Sequence, residues 1–278
     1  MRAVFFVGSL LVTLAGLQLF VGTDHTDKYF AWTIQVPLTA AFLGAFYFTA
    51  LSLALPSGFA LVWARARVGV PGVVLFLWLT LLATLLHLGL FHLHAPGLVS
   101  RTAAWLWLIV YVLAPPAATL LWIAQLRTAR GVGVDPPRAA FLPRWLRALL
   151  AVQGVIVLGV GGALFVTPGT ATHLWPWALT PLTAQAMSAW MAGLGVVLLT
   201  AVWENDWTRV RPALFAYVGL GALQGIALAR YGDLVRWGQP SAWLYVAVLA
   251  SILAVGIYGL LASRGTTALD FPRSGAIS

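Results

Sequence analysis

Eight long apolar stretches, separated by short polar connections, constrain this chain more than any other feature of its sequence. A helix that crosses a bilayer core needs about 20 predominantly apolar residues, and each stretch has roughly that length. Only 8% of the 278 residues are charged, whereas a typical soluble domain carries about 25%. The sequence therefore predicts an all-α polytopic membrane protein with eight transmembrane helices, at 3–22, 34–55, 71–92, 103–125, 148–167, 180–202, 213–231 and 241–263.

The first apolar stretch follows Arg2, as the apolar part of a signal peptide follows a basic residue. It is long for such a segment, however, and lacks an Ala-x-Ala cleavage site. We therefore expect this stretch to be retained as the first transmembrane helix.

The sequence repeats itself at an offset of 144 residues (181 minus 37), because the string PLTA at 37–40 returns at 181–184. The interpretation is a tandem duplication, with four-helix repeats at 1–126 and 148–278 and a basic, Gly/Pro-rich cytoplasmic linker at 127–147. Since each repeat has an even number of helices, the two repeats have parallel topology. They are then related by a pseudo-two-fold axis along the membrane normal, as in one class of transporters. The same offset carries Trp63, Arg65, Arg67 and Pro96 onto Trp207, Arg209, Arg211 and Pro240.

The distribution of lysine and arginine predicts how the chain is oriented, because cytoplasmic loops carry an excess of both. With the N-terminus in the cytoplasm, only Lys28, Arg101, Arg230 and Arg236 of the sixteen basic residues lie outside. We predict a multi-pass protein of the plasma membrane with both termini cytoplasmic. Membrane orientation then accounts for the net charge of +9, and no nucleic-acid partner is expected.

The PLTA strings begin the second and sixth predicted helices at the outer side. Proline is favoured in a first helical turn, Thr180 can cap the sixth helix, and the hydroxyls of Thr39 and Thr183 can serve the first turns. Alternatively, the two positive helix ends converge and favour an anionic group. Small residues at helical spacing predict close packing of both helices, and these are Ala40, Gly44, Ala184 and Ser188.

Aromatic residues are abundant, with 14 tryptophans, most of them near the predicted membrane boundaries, where such rings anchor helices. Trp190 lies inside a predicted helix, where it could pack or line a cavity. Trp32 and Trp177 precede the two PLTA helices. They could form an aromatic rim for a flat, apolar or cationic ligand, or simply anchor the chain.

All five histidines lie toward the predicted outer side. Only His87 is predicted to lie within the hydrocarbon region of the membrane, where an ionisable residue is a functional candidate. It could also be a packed histidine bonded to Thr84 or to a glutamine. No metal site is predicted, because the spacing of the histidines does not match a known pattern. The weak candidates for a metal site are His25, His92, His94 and His173.

The remaining polar candidates are a glutamine inside the membrane and arginines that recur in the cytoplasmic loops. Gln224 is one of the glutamines predicted inside the membrane, where it could bridge helices or line a pocket. The repeated arginines Arg65, Arg67, Arg209 and Arg211 could follow the positive-inside rule, or bind lipid phosphates or an acidic partner. Glu204 and Asp206 lie beside the second copy and could neutralise it by pairing.

Three functions are compatible with the sequence. The preferred one is binding or transport of a neutral or lipophilic small molecule, in a cavity between the repeats that faces the outer leaflet. The alternative is a non-catalytic accessory or scaffold subunit in a larger membrane complex, and the third is an intramembrane enzyme using outer His and Asp residues. No catalytic motif, catalytic residue or cofactor is predicted, and membrane lipids are expected partners. Candidate ligand-binding residues are His87, Trp32, Trp177, Thr39, Thr183, Trp190 and Gln224.

Overall fold

The computed structural model describes residues 2–60, 62–131, 137–138 and 140–265 of the chain. Ten α-helices connected by short turns make up most of this part, which contains no strand; one isolated antiparallel bridge joins Trp32 to Phe91. The helices are α1 (Arg2–Gly16), α2 (Thr26–Tyr29), α3 (Pro37–Phe59), α4 (Val70–Leu86), α5 (Leu98–Gly131), α6 (Arg144–Val166), α7 (Pro168–Leu174), α8 (Pro181–Glu204), α9 (Trp207–Tyr231) and α10 (Pro240–Ala262).

Seven of these helices are individually long and apolar enough to cross a membrane, namely α3, α4, α5, α6, α8, α9 and α10. The eighth candidate is the N-terminal segment. There α1 continues through a π-helical turn, Leu17–Val21, and the chain then bends by 93° into the short helical stretch Thr23–Tyr29. The prediction of a multi-pass, all-helical membrane protein is confirmed, with seven or eight spans.

The predicted ends of the helices are mostly within a few residues of the observed ones. The third predicted span, 71–92, extends too far, because α4 ends at Leu86 and His87 caps it. The fourth, 103–125, is too short at both ends, since α5 begins at Leu98 and ends at Gly131. The seventh span begins earlier than predicted, at Trp207. Part of the predicted linker is helical, since α5 continues to Gly131 and α6 begins at Arg144; positions 132–136 and 139 lie outside the described residues.

Helices α3 and α8 form the centre of the bundle, and they are its most deeply buried spans. Helix α3 packs against α1 on one side and α9 on the other, while α8 packs against α6 and α4. Helices α5 and α10 complete the bundle by packing against α4 and α9, respectively. The outward sides of α5, α6 and α10 carry exposed Leu, Ile and Val, as expected where lipid is the solvent.

Glycines allow α8 to approach both of its neighbours closely. A Cβ built on Gly72 of α4 would collide with the carbonyl oxygen of Gly193 on α8. A Cβ on Gly195 would lie 2.8 Å from the carbonyl oxygen of Gly154 on α6. Gly44 similarly faces the backbone of Phe20, and a Cβ built on Gly44 would lie 2.5 Å from the Phe20 nitrogen. Close packing of membrane helices through small residues is therefore the role of the predicted stripe that includes Gly44.

The two PLTA helices begin differently. Thr180 caps α8 as predicted, because its hydroxyl accepts from the backbone N–H of Thr183, and the Thr183 hydroxyl accepts from the backbone N–H of Thr180 in return. Helix α3 has no side-chain cap. The Thr39 hydroxyl instead accepts a hydrogen bond from the indole N–H of Trp177, at 2.9 Å. This bond joins the start of α3 to the segment just before α8.

Candidate ligand cavity

An apolar cavity of about 360 Å³ lies between α1, α3, α4 and α5. On α5 its lining residues run from Ala103 to Ala118, so at 1.5 Å per residue the cavity extends about 22 Å along that helix. On α1 they run from Phe5 to Ala15. Its volume falls within the usual range for small-molecule sites, roughly 300–1,000 Å³, and its shape suits an elongated molecule.

Small side chains leave this space open. Alanines on two facing helices line it, including Ala50 and Ala54 of α3 and Ala114 and Ala118 of α5. Helix α5 also packs less extensively against α4 than α10 packs against α9. The small side chains on α3 and α5 therefore account for the gap between α5 and the rest of the bundle.

The most notable polar feature of the cavity wall is a pair of tyrosines. Tyr47 of α3 and Tyr111 of α5 are both buried, and their hydroxyl oxygens lie 2.8 Å apart in a hydrogen bond. Aromatic rings surround the pair: Trp190 lies 4.8 Å from Tyr47, and Trp107 lies 4.3 Å from Tyr111, between ring centroids. Trp190 stacks in turn on Phe76 at 3.8 Å.

Of the ligand-binding candidates predicted from the sequence, Trp190 alone is among the residues that line this cavity. Sequence reasoning missed Tyr47 and Tyr111. Both lie well inside predicted spans, and a hydroxyl inside a span needs a partner. That requirement was a usable signal, but the sequence alone did not show that the two residues face each other.

Three other candidates belong to a separate, hydrogen-bonded group where α3 meets α9 and the segment before α8. Trp177 donates to Thr39, as described above. The amide nitrogen of Gln224 donates to the carbonyl oxygen of Phe42 at 3.1 Å, and the Tyr245 hydroxyl donates to the amide oxygen of Gln224 at 3.0 Å. These side chains connect helices, which was one of the two roles expected for Gln224.

Trp32 lies in the ring cluster formed with Phe30, Phe91 and Trp107. It is almost completely buried, and its indole N–H has no hydrogen-bond partner. The predicted aromatic rim therefore consists of rings packed inside the protein, since Trp177 is also fully buried.

His87 lies at the end of α4, not within it, and is half-buried. Its Nε2 is 2.9 Å from the amide oxygen of Gln185, whose amide nitrogen donates to the carbonyl oxygen of Phe165. A glutamine partner was one of the two expected. The other candidate, Thr84, accepts instead from the indole N–H of Trp107. His87 thus links α4 to α8 and, through Gln185, to α6.

The weak metal candidates do not converge. Within the described ranges no three His, Asp or Glu side chains are placed to hold a metal ion. His92 is engaged at both ring nitrogens, Nδ1 with the carbonyl oxygen of Phe30 and Nε2 with the hydroxyl of Thr33, each at 3.0 Å. His25 contacts the ring of Tyr29, and His94 and His173 are exposed.

A buried ion cluster lies at the opposite end of the bundle from the histidines. Glu204, the last residue of α8, is fully buried and pairs with Arg67 and with Arg209. One carboxylate oxygen accepts from Arg67 at 3.0 Å and from Arg209 at 2.9 Å. Asp206 caps α9 and accepts from the backbone N–H of Ala140 at 3.2 Å.

The four repeated arginines therefore differ in their surroundings. Arg67 and Arg209 both pair with Glu204. The pairing of Arg209 with a neighbouring acid was expected from the sequence, whereas the pairing of Arg67, which belongs to the first arginine motif, was not. Arg65 is exposed. Arg211 lies over the ring of Phe215 at 5.7 Å, and its Nε has no hydrogen-bond partner.

No match was found. The chain matches no protein-family model, no curated protein and no solved structure, so any assignment of function depends on the site itself.

Glu204→Gln should destabilise the protein strongly, because it leaves two arginines without their shared buried counter-charge. Breaking a buried pair in this way costs about 3–5 kcal/mol. The measurement is thermal unfolding in detergent, with Asp233→Asn as control, since Asp233 is an exposed carboxylate. Equal unfolding temperatures for the two variants would contradict a structural role for Glu204.

Proposed function

We propose that this protein binds or transports a neutral, elongated, lipophilic small molecule in the cavity between α1, α3, α4 and α5. The observation that carries the proposal is the cavity itself, which is about 360 Å³ in volume and predominantly apolar; besides the tyrosine pair, its lining includes the polar side chains of Gln18 and Ser57. No charged side chain or histidine is among the described residues that line it. A charged ligand would be left without a counter-ion at high cost, so the ligand is neutral.

The apolar wall supports occupation by an apolar molecule. Side chains that face an unfilled space lose the dispersion contacts that neighbouring atoms would supply. The cavity is partly open rather than enclosed, so an apolar ligand or a lipid chain can enter and supply these contacts.

This cavity differs from the one expected from the sequence, which was placed between the two repeats. It lies within the segment 1–131, and α8 contributes Trp190 alone. His87, Trp32, Trp177, Thr39, Thr183 and Gln224 are not among its lining residues. The proposed role of these six residues is to stabilise the packing of the helices that form the cavity.

The proposal includes the tandem duplication, in which α1, α3, α4 and α5 are equivalent to α6, α8, α9 and α10. Helix packing supports it, because α1 packs on α3 as α6 packs on α8, and α3 packs on α9 as α8 packs on α4. Two-fold symmetry predicts this exchange of partners. Phe46 and Trp190, related by the offset of 144 (190 minus 46), stack at 5.6 Å. Equivalent residues touch each other at such an axis.

The proposed orientation places both termini in the cytoplasm of a cell whose plasma membrane holds the protein. Arg67, Arg209 and Glu204 then lie at the cytoplasmic end, and His25 and His92 lie at the outer end. The support remains the excess of basic residues on one side.

Filling the cavity should exclude the ligand. Ala114→Phe places a ring in the space between α3 and α5, and we expect the amount of copurifying lipophile to fall several-fold. Native mass spectrometry after gentle solubilisation measures this amount. Ala250→Phe is the matched control, because Ala250 is an exposed alanine of α10.

The same measurement separates the alternative functions. A second polypeptide that copurifies stoichiometrically, with no lipophile bound in either variant, would favour an accessory subunit and contradict the binding function. Equal lipophile content in Ala114→Phe and Ala250→Phe would show that the molecules bind elsewhere.

A single introduced cysteine tests the orientation, since the chain has no cysteine of its own. His25→Cys in intact cells should react with a membrane-impermeant thiol reagent. Thr128→Cys, also exposed, should react only after lysis. The reverse pattern would overturn the proposed orientation.

A further inference from the structure

We infer that the ligand of this cavity carries a neutral carbonyl oxygen flanked on both sides by apolar groups, and that this oxygen accepts a hydrogen bond from the Tyr47–Tyr111 pair. This inference rests on the proposed function, and it specifies the chemical class of the ligand as a ketone, a quinone or an ester with apolar parts on either side.

One of the two hydroxyl protons of the tyrosine pair needs an acceptor outside the pair. Each tyrosine hydroxyl has one proton to donate, and the 2.8 Å bond between Tyr47 and Tyr111 uses one of the two. Within the described part of the chain, the second proton has no acceptor. Both side chains are buried, and an unpaired buried donor is costly. A ligand oxygen in the cavity would satisfy this proton.

The acceptor must be neutral. The lining residues include no lysine, arginine or histidine among those described, so a carboxylate or phosphate would have no counter-ion. A carbonyl oxygen has two lone pairs that can accept this proton, and it brings no donor of its own that would need a partner.

The position of the pair fixes where the oxygen lies along the ligand. Tyr111 is near the middle of the lining stretch of α5, eight residues from Ala103 and seven from Ala118. At 1.5 Å per residue, roughly 10–12 Å of apolar wall continues on either side. The carbonyl therefore belongs to the interior of the molecule, with apolar parts extending both ways.

The test compares two probes, a long-chain dialkyl ketone with a central carbonyl and the alkane of the same length. Both are titrated into the purified full-length protein in nanodiscs, and binding is followed by native mass spectrometry. The ketone should bind about five- to tenfold more tightly, as one hydrogen bond predicts. Its isotope-labelled carbonyl band in the infrared should shift to lower frequency on binding.

The double variant Tyr47→Phe/Tyr111→Phe removes both hydroxyls, and a double is needed because either remaining hydroxyl could still donate. It should abolish the preference for the ketone and the infrared shift. The matched control is Tyr217→Phe/Tyr245→Phe, which removes two hydrogen-bonded hydroxyls outside the cavity, whose partners are Gln153 and Gln224. This control should retain both effects.

Each result decides the matter. Equal affinity for ketone and alkane in the wild-type protein would overturn the inference and leave apolar binding in place. Failure of both probes to bind, with Ala114→Phe also without effect, would overturn the proposed function as well. If the double variant does not fold, the wild-type infrared band still decides, because an unshifted carbonyl band contradicts the hydrogen bond.

Discussion

Close contact between helices at small residues is the interaction on which this structure depends. In a lipid solvent the hydrophobic effect does not drive helices together, so association depends on packing and hydrogen bonds between them. Helix α8 meets α4 where Gly72 crosses Gly193, and meets α6 where Gly154 crosses Gly195. Side-chain hydrogen bonds such as that from Trp177 to Thr39 add to this packing. The centre of the bundle is thus tight, and open space is left to its periphery.

The cavity forms where this close contact is absent. Helix α10 approaches α9 through Gly256, whose Cβ would lie 2.8 Å from the backbone nitrogen of Val218, and through Gly259. The positions of α5 that are 144 residues earlier hold Val112 and Pro115, so α5 has no glycine at either position. Helix α5 therefore packs less extensively on its neighbour, and the cavity opens beside it.

Sequence reasoning predicted the membrane class and most helix ends, because both follow from local composition and length. It extended the third helix to 92, since the apolar stretch continues past His87, where the helix ends. Contacts between distant segments could not be predicted from residue types alone. The sequence showed that Arg67 and Arg209 belong to a recurring basic motif. It did not show that both pair with Glu204. Nor could it show that Tyr47 and Tyr111 form a hydrogen bond to each other in the wall of a cavity.

The central claim is that the space beside α5 is a binding site for a lipophile, and an electron cryo-microscopy map of the protein in lipid nanodiscs tests it most directly. We predict an elongated density along α5 from Ala103 to Ala118, touching Tyr47 and Tyr111. A map in which α5 packs against α1 and α3 and leaves no space between them would contradict the claim.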